Sequence, residues 1–231
     1  MKKTLKLFLV FCLGYFTFGC GTKSDEVQIS APLHPKYVAK GYKKLYIADF
    51  IVTGVKDVDR DTRNINVNKE IKETLKSEFK DKSGYQIEDL KLEVNSDRKP
   101  EELLRDPTFW AGQNIPDRDA SMILAGVVEF SNHQKSGLVT ERVVNPRTGT
   151  EREISSQKDQ LQLVLAVNLF LVDAQKGDKL FEENFKEEQV YDDVSNVSLP
   201  LFYDVFERIA PKIVGVLVPY RVAGSRTLLQ P

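Results

Sequence analysis

Apolar and polar positions alternate along the chain with two different periods, and the switches between them predict the elements. Leu45-Tyr46-Ile47-Ala48-Asp49-Phe50-Ile51-Val52 is rich in aromatic and β-branched residues and predicts a first strand. Val67, Ile71, Leu75 and Phe79 recur every four residues, the stripe of an amphipathic helix that Lys82-Ser83-Gly84 should stop. Leu90, Leu92 and Val94 alternate with polar residues and predict another strand. Residues 97–119 are mixed, with a short helix expected at Glu101–Arg105 after Pro100, and Pro107, Gly112 and Pro116 breaking the remainder. Ala120–Phe130 is a nearly continuous apolar run, the pattern of a strand covered on both faces. Leu138–Val144 and Thr150–Ser155 flank Asn145-Pro146-Arg147-Thr148-Gly149 and predict a hairpin. Leu161, Leu163, Leu165, Val167, Leu169 and Leu171 follow period two throughout. A turn at Ala174–Asp178 leads to a strand from Lys179 to about Val190. Phe202, Val205, Phe206, Ile209, Ile213, Val216 and Leu217 form a second long helical stripe, where Pro211 predicts a kink or two abutting helices.

The order β-α-β, several strands, then α predicts an α+β fold, an α/β sandwich. Its sheet should be mixed and mainly antiparallel, with the two long amphipathic helices packed on one face.

The amino terminus departs from this pattern. Lys2 and Lys3 precede an apolar run, Leu5 to Phe18, interrupted only by Lys6 and Thr17. That is the layout of a secretory signal, shorter than the roughly 20 residues a membrane-spanning helix needs. The run ends at Gly19-Cys20, which resembles a bacterial lipobox whose Cys becomes the lipidated first residue. Thr17 and Phe18 stand where Leu and a small residue are commoner. The expected division is a signal peptide at 1–19, lipidated Cys20 with a flexible tether over 20–41, and one globular α/β domain over 42–231. A lipid on Cys20 is a durable anchor, since each buried CH₂ contributes about 0.8 kcal/mol. Cys12 leaves with the signal, so the mature chain has one Cys and no internal disulfide.

Composition narrows the chemistry. The 231 residues carry 33 Lys+Arg against 34 Asp+Glu, without the basic excess of a nucleic-acid binder. Two His and two Cys leave little material for a metal centre or a nucleophile–base pair. Asp57, Asp59 and Asp61 have the spacing of a calcium loop, yet Thr62 and Asn68 replace the Gly and Glu such a loop requires. Phe109 and Trp110, in a Pro/Gly-rich segment, and His133, in a turn after the third strand, are the candidate binding residues. The loops 53–66, 107–118 and 131–137 are the candidate surfaces. No cofactor and no catalytic constellation is expected.

One resemblance adds to these readings. The strand at Leu45–Phe50, the run Ala120–Phe130, the segment Leu169–Phe181 and the closing helix Ile209–Leu217 are similar to a group of envelope lipoproteins. The group includes the curli-secretion, penicillin-binding-protein-activator and lipopolysaccharide-assembly lipoproteins. Its implied core is a small α/β domain like the amino-terminal domain of the Tol–Pal translocation protein. The resemblance implies a non-enzymatic, lipid-anchored protein of the outer membrane, periplasmic or surface-facing, that binds or assembles envelope components. The alternative is a surface-exposed lipoprotein that binds host or matrix molecules. Its partners would be the membrane, through the lipid, and an envelope protein or component, with a homo-oligomer left open. A membrane pore is disfavoured, because the hairpin at 138–155 carries Glu141, Arg142, Arg147, Glu151, Arg152 and Glu153, which are costly in lipid.

Overall fold

The computed structural model describes residues 24–53, 66–94, 97–192 and 197–229. They fall into two compact units. In one, strand β1 (Ser24–Leu33) pairs with strand β8 (Tyr220–Leu229) as a two-stranded sheet made from the two ends of the chain. This differs from the tether expected over 20–41. A pairing partner some two hundred residues away leaves no trace in the local sequence pattern. Cys20, expected to carry the lipid, and the acidic residues Asp57, Asp59 and Asp61 lie outside the described residues.

The second unit spans His34–Tyr220 and holds an α+β fold. Its strands are β2 (Lys44–Ala48), β3 (Ile51–Thr53), β4 (Gln86–Leu90), β5 (Ser121–Val144), β6 (Glu151–Asp173) and β7 (Lys179–Asp192). They form one mixed sheet in the order β4-β2-β5-β6-β7, with β3 also paired to β5. The β2–β4, β2–β5 and β3–β5 pairs are parallel, and the long β5–β6 and β6–β7 ladders are antiparallel. Lys44 faces Ser121, whereas Ile51 faces Val127, so one extra residue is accommodated between β2 and β3. This acts as a bulge. It turns Phe50 so that its backbone N–H donates to Asn68 Oδ1 at 2.8 Å and its ring lies over Gly126, where an added Cβ would come within 2.6 Å of it.

Two long helices, α1 (Val67–Lys82) and α4 (Leu199–Val214), cover one face, as their stripes predict. Asn66 caps α1 by accepting from Lys69 N–H at 3.1 Å. Ile71, Leu75 and Phe79 of α1 join Phe202, Phe206 and Ile209 of α4 above Leu45, Leu124, Leu163, Leu165 and Leu169. Helix α4 runs through Pro211 as one element, because that residue lies in the last turn and Glu207, whose carbonyl loses its usual donor, is exposed to water.

The opposite face is covered where α2 (Pro100–Leu104) and α3 (Pro107–Gly112) pack. There Tyr46, Ala48, Leu90, Leu104, Trp110, Ile123, Ala125, Val127 and Phe170 form a second core. Both faces of β5 are therefore buried from Ser121 to Val128, the property its continuous apolar run encodes. The last strand before α2 is Gln86–Leu90 rather than Leu90–Val94, since parallel pairing with β2 sets its register. Strands β5 and β6 then continue well beyond the body of the domain. Their pairing runs unbroken from Met122↔Asp173 to Val144↔Glu151, about 80 Å of strand.

Candidate functional site

Four chain segments meet where the parallel strands begin. Tyr42 and Lys43 precede β2, Tyr85 precedes β4, Lys82-Ser83-Gly84 ends α1, and Leu217-Val218-Pro219 follows α4. Together they line a groove of about 360 Å³. The lower end of the size range of small-ligand pockets is about 300 Å³. Its apolar side is the Leu217–Pro219 segment, which is tied down by Leu217 N–H and Val218 N–H donating to Val214 O at 3.1 and 3.0 Å. Its polar side presents two phenols and two ammonium groups.

The Tyr42 hydroxyl donates to Asp173 Oδ2 at 2.6 Å. Burial, reinforced by that carboxylate, pushes the Tyr42 phenol up from its ordinary value, so it stays a hydrogen-bond donor. Burial alone would raise Asp173. The Tyr42 hydroxyl and the backbone N–H groups of Lys176 and Gln175 instead hold it below the usual carboxylate value. Burial also raises the Tyr85 phenol. Lys82 is paired with Glu78 one turn back along α1. Lys43 anchors its backbone N–H on Ala120 O at 2.8 Å, and its side chain is without a partner among the described residues. The groove thus sets Tyr42, Lys43, Lys82, Ser83 and Tyr85 beside an apolar wall.

The sequence-predicted binding residues do not come together here. Trp110 is fully buried in the second core, its indole N–H donating to Leu104 O at 2.8 Å, so it holds α3 to α2 and is not a partner contact. Phe109 packs edge-on against it, with ring centroids 5.1 Å apart. The segment around them is closed by Arg118, whose guanidinium donates to Ala174 O, Trp110 O and Gln113 O at 3.0, 3.1 and 2.7 Å. It is closed too by Gly177, with φ of +76° and Pro107 O only 2.8 Å from where a Cβ would stand. His133 lies within β5 opposite Gln162 and is exposed; no turn interrupts 131–137. Its polar neighbours had the composition of a loop, but pairing with β6 makes them strand. The groove residues escaped sequence reading because they lie just outside the periodic elements, with no motif linking positions 42, 85 and 218.

Among the described residues Lys72 is the one buried charge, 9% exposed. It joins α1 to the ends of β2 and β4 by reaching Asp49 at 2.8 Å, Leu90 O at 3.3 Å and Asp89 at 3.7 Å. With its donors satisfied, its role is structural. Among the described residues no three His, Cys, Asp or Glu side chains gather as a metal site. Nor is any helix among them long and apolar enough to cross a membrane.

No protein-family model matches the chain, and no curated protein does. Solved structures resemble it at low identity. A PelC dodecamer from Paraburkholderia phytofirmans is 11% identical, with 83% of this chain and 99% of that one covered and a TM-score of 0.38. A minor lipoprotein from Acinetobacter baumannii is 14% identical, covering 75% and 88%, with a TM-score of 0.29. An uncharacterized lipoprotein B from Nitrosomonas europaea is 12% identical, covering 76% and 76%, with a TM-score of 0.24. These likenesses carry no inference about function.

Proposed function

We propose that the chain is a lipid-anchored protein of the bacterial outer membrane that binds or helps assemble other envelope components without catalysing a reaction. The observation that carries the anchor is the basic start and apolar run that stop at Gly19-Cys20. The binding role is supported by the groove at Tyr42, Lys43 and Tyr85, which sets an ammonium without a partner among the described residues and the Tyr85 phenol beside apolar surface. Membrane attachment and binding are tested separately. Cys20→Ala should abolish metabolic labelling with palmitate, and a mutant that still labels overturns the anchor. In the same cells, a photoreactive residue at position 43 should crosslink a discrete envelope partner, whereas one at exposed Arg208 on α4 should not. Equal or absent crosslinking at both positions overturns the groove as a binding site.

A further inference from the structure

Beyond the last pair shared with β7, Gln160↔Asp192, strands β5 and β6 project as a two-stranded arm closed by the turn at 145–150. The arm has nine residues in each strand, about 30 Å. It is held within itself by Arg142 to Glu153 at 3.3 Å, Thr140 to Ser155 at 3.0 Å and Ser136 to Asp159 at 2.5 Å. It carries Leu138 at 78% exposure, Val144 at 54%, Ile154 at 51% and Val143 at 44%. The outer edge of β5 is paired to β3 only as far as Glu129. Among the described residues no strand lies on the edge from Phe130 to Val144. An edge of that length with exposed apolar side chains is a template for another strand.

The order of residues along the edge selects the partner. Two copies of one strand pair antiparallel about a two-fold axis, and facing residues must then share a side of the sheet. Centring β5 on Leu138 sets Lys135 opposite Glu141 twice, Arg142 opposite Gln134, Ser136 opposite Thr140 and Leu138 opposite itself. Moving the centre to Gly137 or Val139 loses both charge pairs. The β6 edge beyond Gln160, on which no strand lies among the described residues, does not self-pair comparably: centred on Ile154 it gains no opposite-charge pair. Centred on Ser155, it opposes Arg152 to Lys158 and Glu151 to Asp159; centred on Ser156, it opposes Glu153 to Asp159. Like charges directly opposite are destabilising. We propose that the β5 edge of the arm is a homodimerisation surface, on which a second copy of this chain adds its own β5 antiparallel about Leu138. The exposed Leu138 side chain is then covered by its symmetry mate.

The inference is independent of the anchor and of the groove, and its test uses the full-length protein in detergent extract. Facing residues in such a pair have Cα atoms about 4.5–5.5 Å apart, within disulfide reach. Leu138→Cys should therefore yield a disulfide-linked dimer on mild oxidation, above the background that Cys12 and Cys20 give in the parent. Ile154→Cys, on the other strand, should not. Lys135→Glu should abolish the Leu138→Cys dimer, and adding Glu141→Lys should restore it. A monomeric Leu138→Cys protein, crosslinking at Ile154 instead, an adduct with a different protein, or a dimer indifferent to Lys135→Glu would each overturn the proposal.

Discussion

Glu182 shows how one side chain in this fold carries a pH dependence. Arg105 from just after α2 grips its carboxylate, with Nε at 3.2 and 3.1 Å from the two oxygens, and Lys179 adds a contact at 2.7 Å. The Arg105 hydrogen bonds, with Lys179, hold the Glu182 carboxyl at about 2, against an ordinary 4.5. A carboxyl lowered by folding stabilises the folded state fully above its unfolded value, and that contribution is lost as pH falls toward about 2. The Arg105 side chain is 45% exposed, so the contribution is about 1 kcal/mol or less after screening by water. Arg105→Ala should therefore shrink the drop in urea midpoint between pH 5 and pH 2.5. Equal drops in the two proteins would remove Glu182 as the source. Nothing in the sequence pairs residue 105 with residue 182; the contact exists because α2 lies across the sheet face beside β7. Trp110 teaches the same lesson in reverse. A Trp in a Pro/Gly-rich loop has the appearance of a contact residue, and burial beneath Arg118 and Gly177 makes it core.

At the level of elements, the strands and helices with strong periodicity were legible, because burial on one face or two leaves a period. The stripes of α1 and α4, the alternation of β6 and the apolar run of β5 all do so. What the period does not carry is length beyond the core. Residues 136–144 and 151–159 lie beyond the reach of β7 and, where described, are mostly exposed, so no period of burial marks them and the pattern broke a 24-residue strand into pieces. Among the arm's described side chains none belongs to either core. Replacing Gly137–Lys158 with Asn-Gly joins Ser136 to Asp159, which already face each other, through a favoured two-residue turn. The shortened protein should keep its thermal midpoint within a few degrees, as calorimetry would show. A fall of ten degrees or more would mean that the arm stabilises the domain.

On the scale of the whole molecule, the larger unit, His34–Tyr220, is built from two cores described on opposite faces of one mixed sheet, and the groove forms where four segments reach the same end of it. The sequence by itself determined the α+β class, the two helices on one face, the doubly buried central strand and the signal-like amino terminus. Each of these follows from local composition or from a period that one or two neighbouring residues set. Tertiary structure alone decided the pairing of β1 with β8, the burial of Trp110, the gathering of Tyr42, Lys43 and Tyr85, and the extension of β5 and β6 into an arm. These depend on which distant segments meet. A chain records that through the sum of many weak contacts, and no single stretch of residues states it.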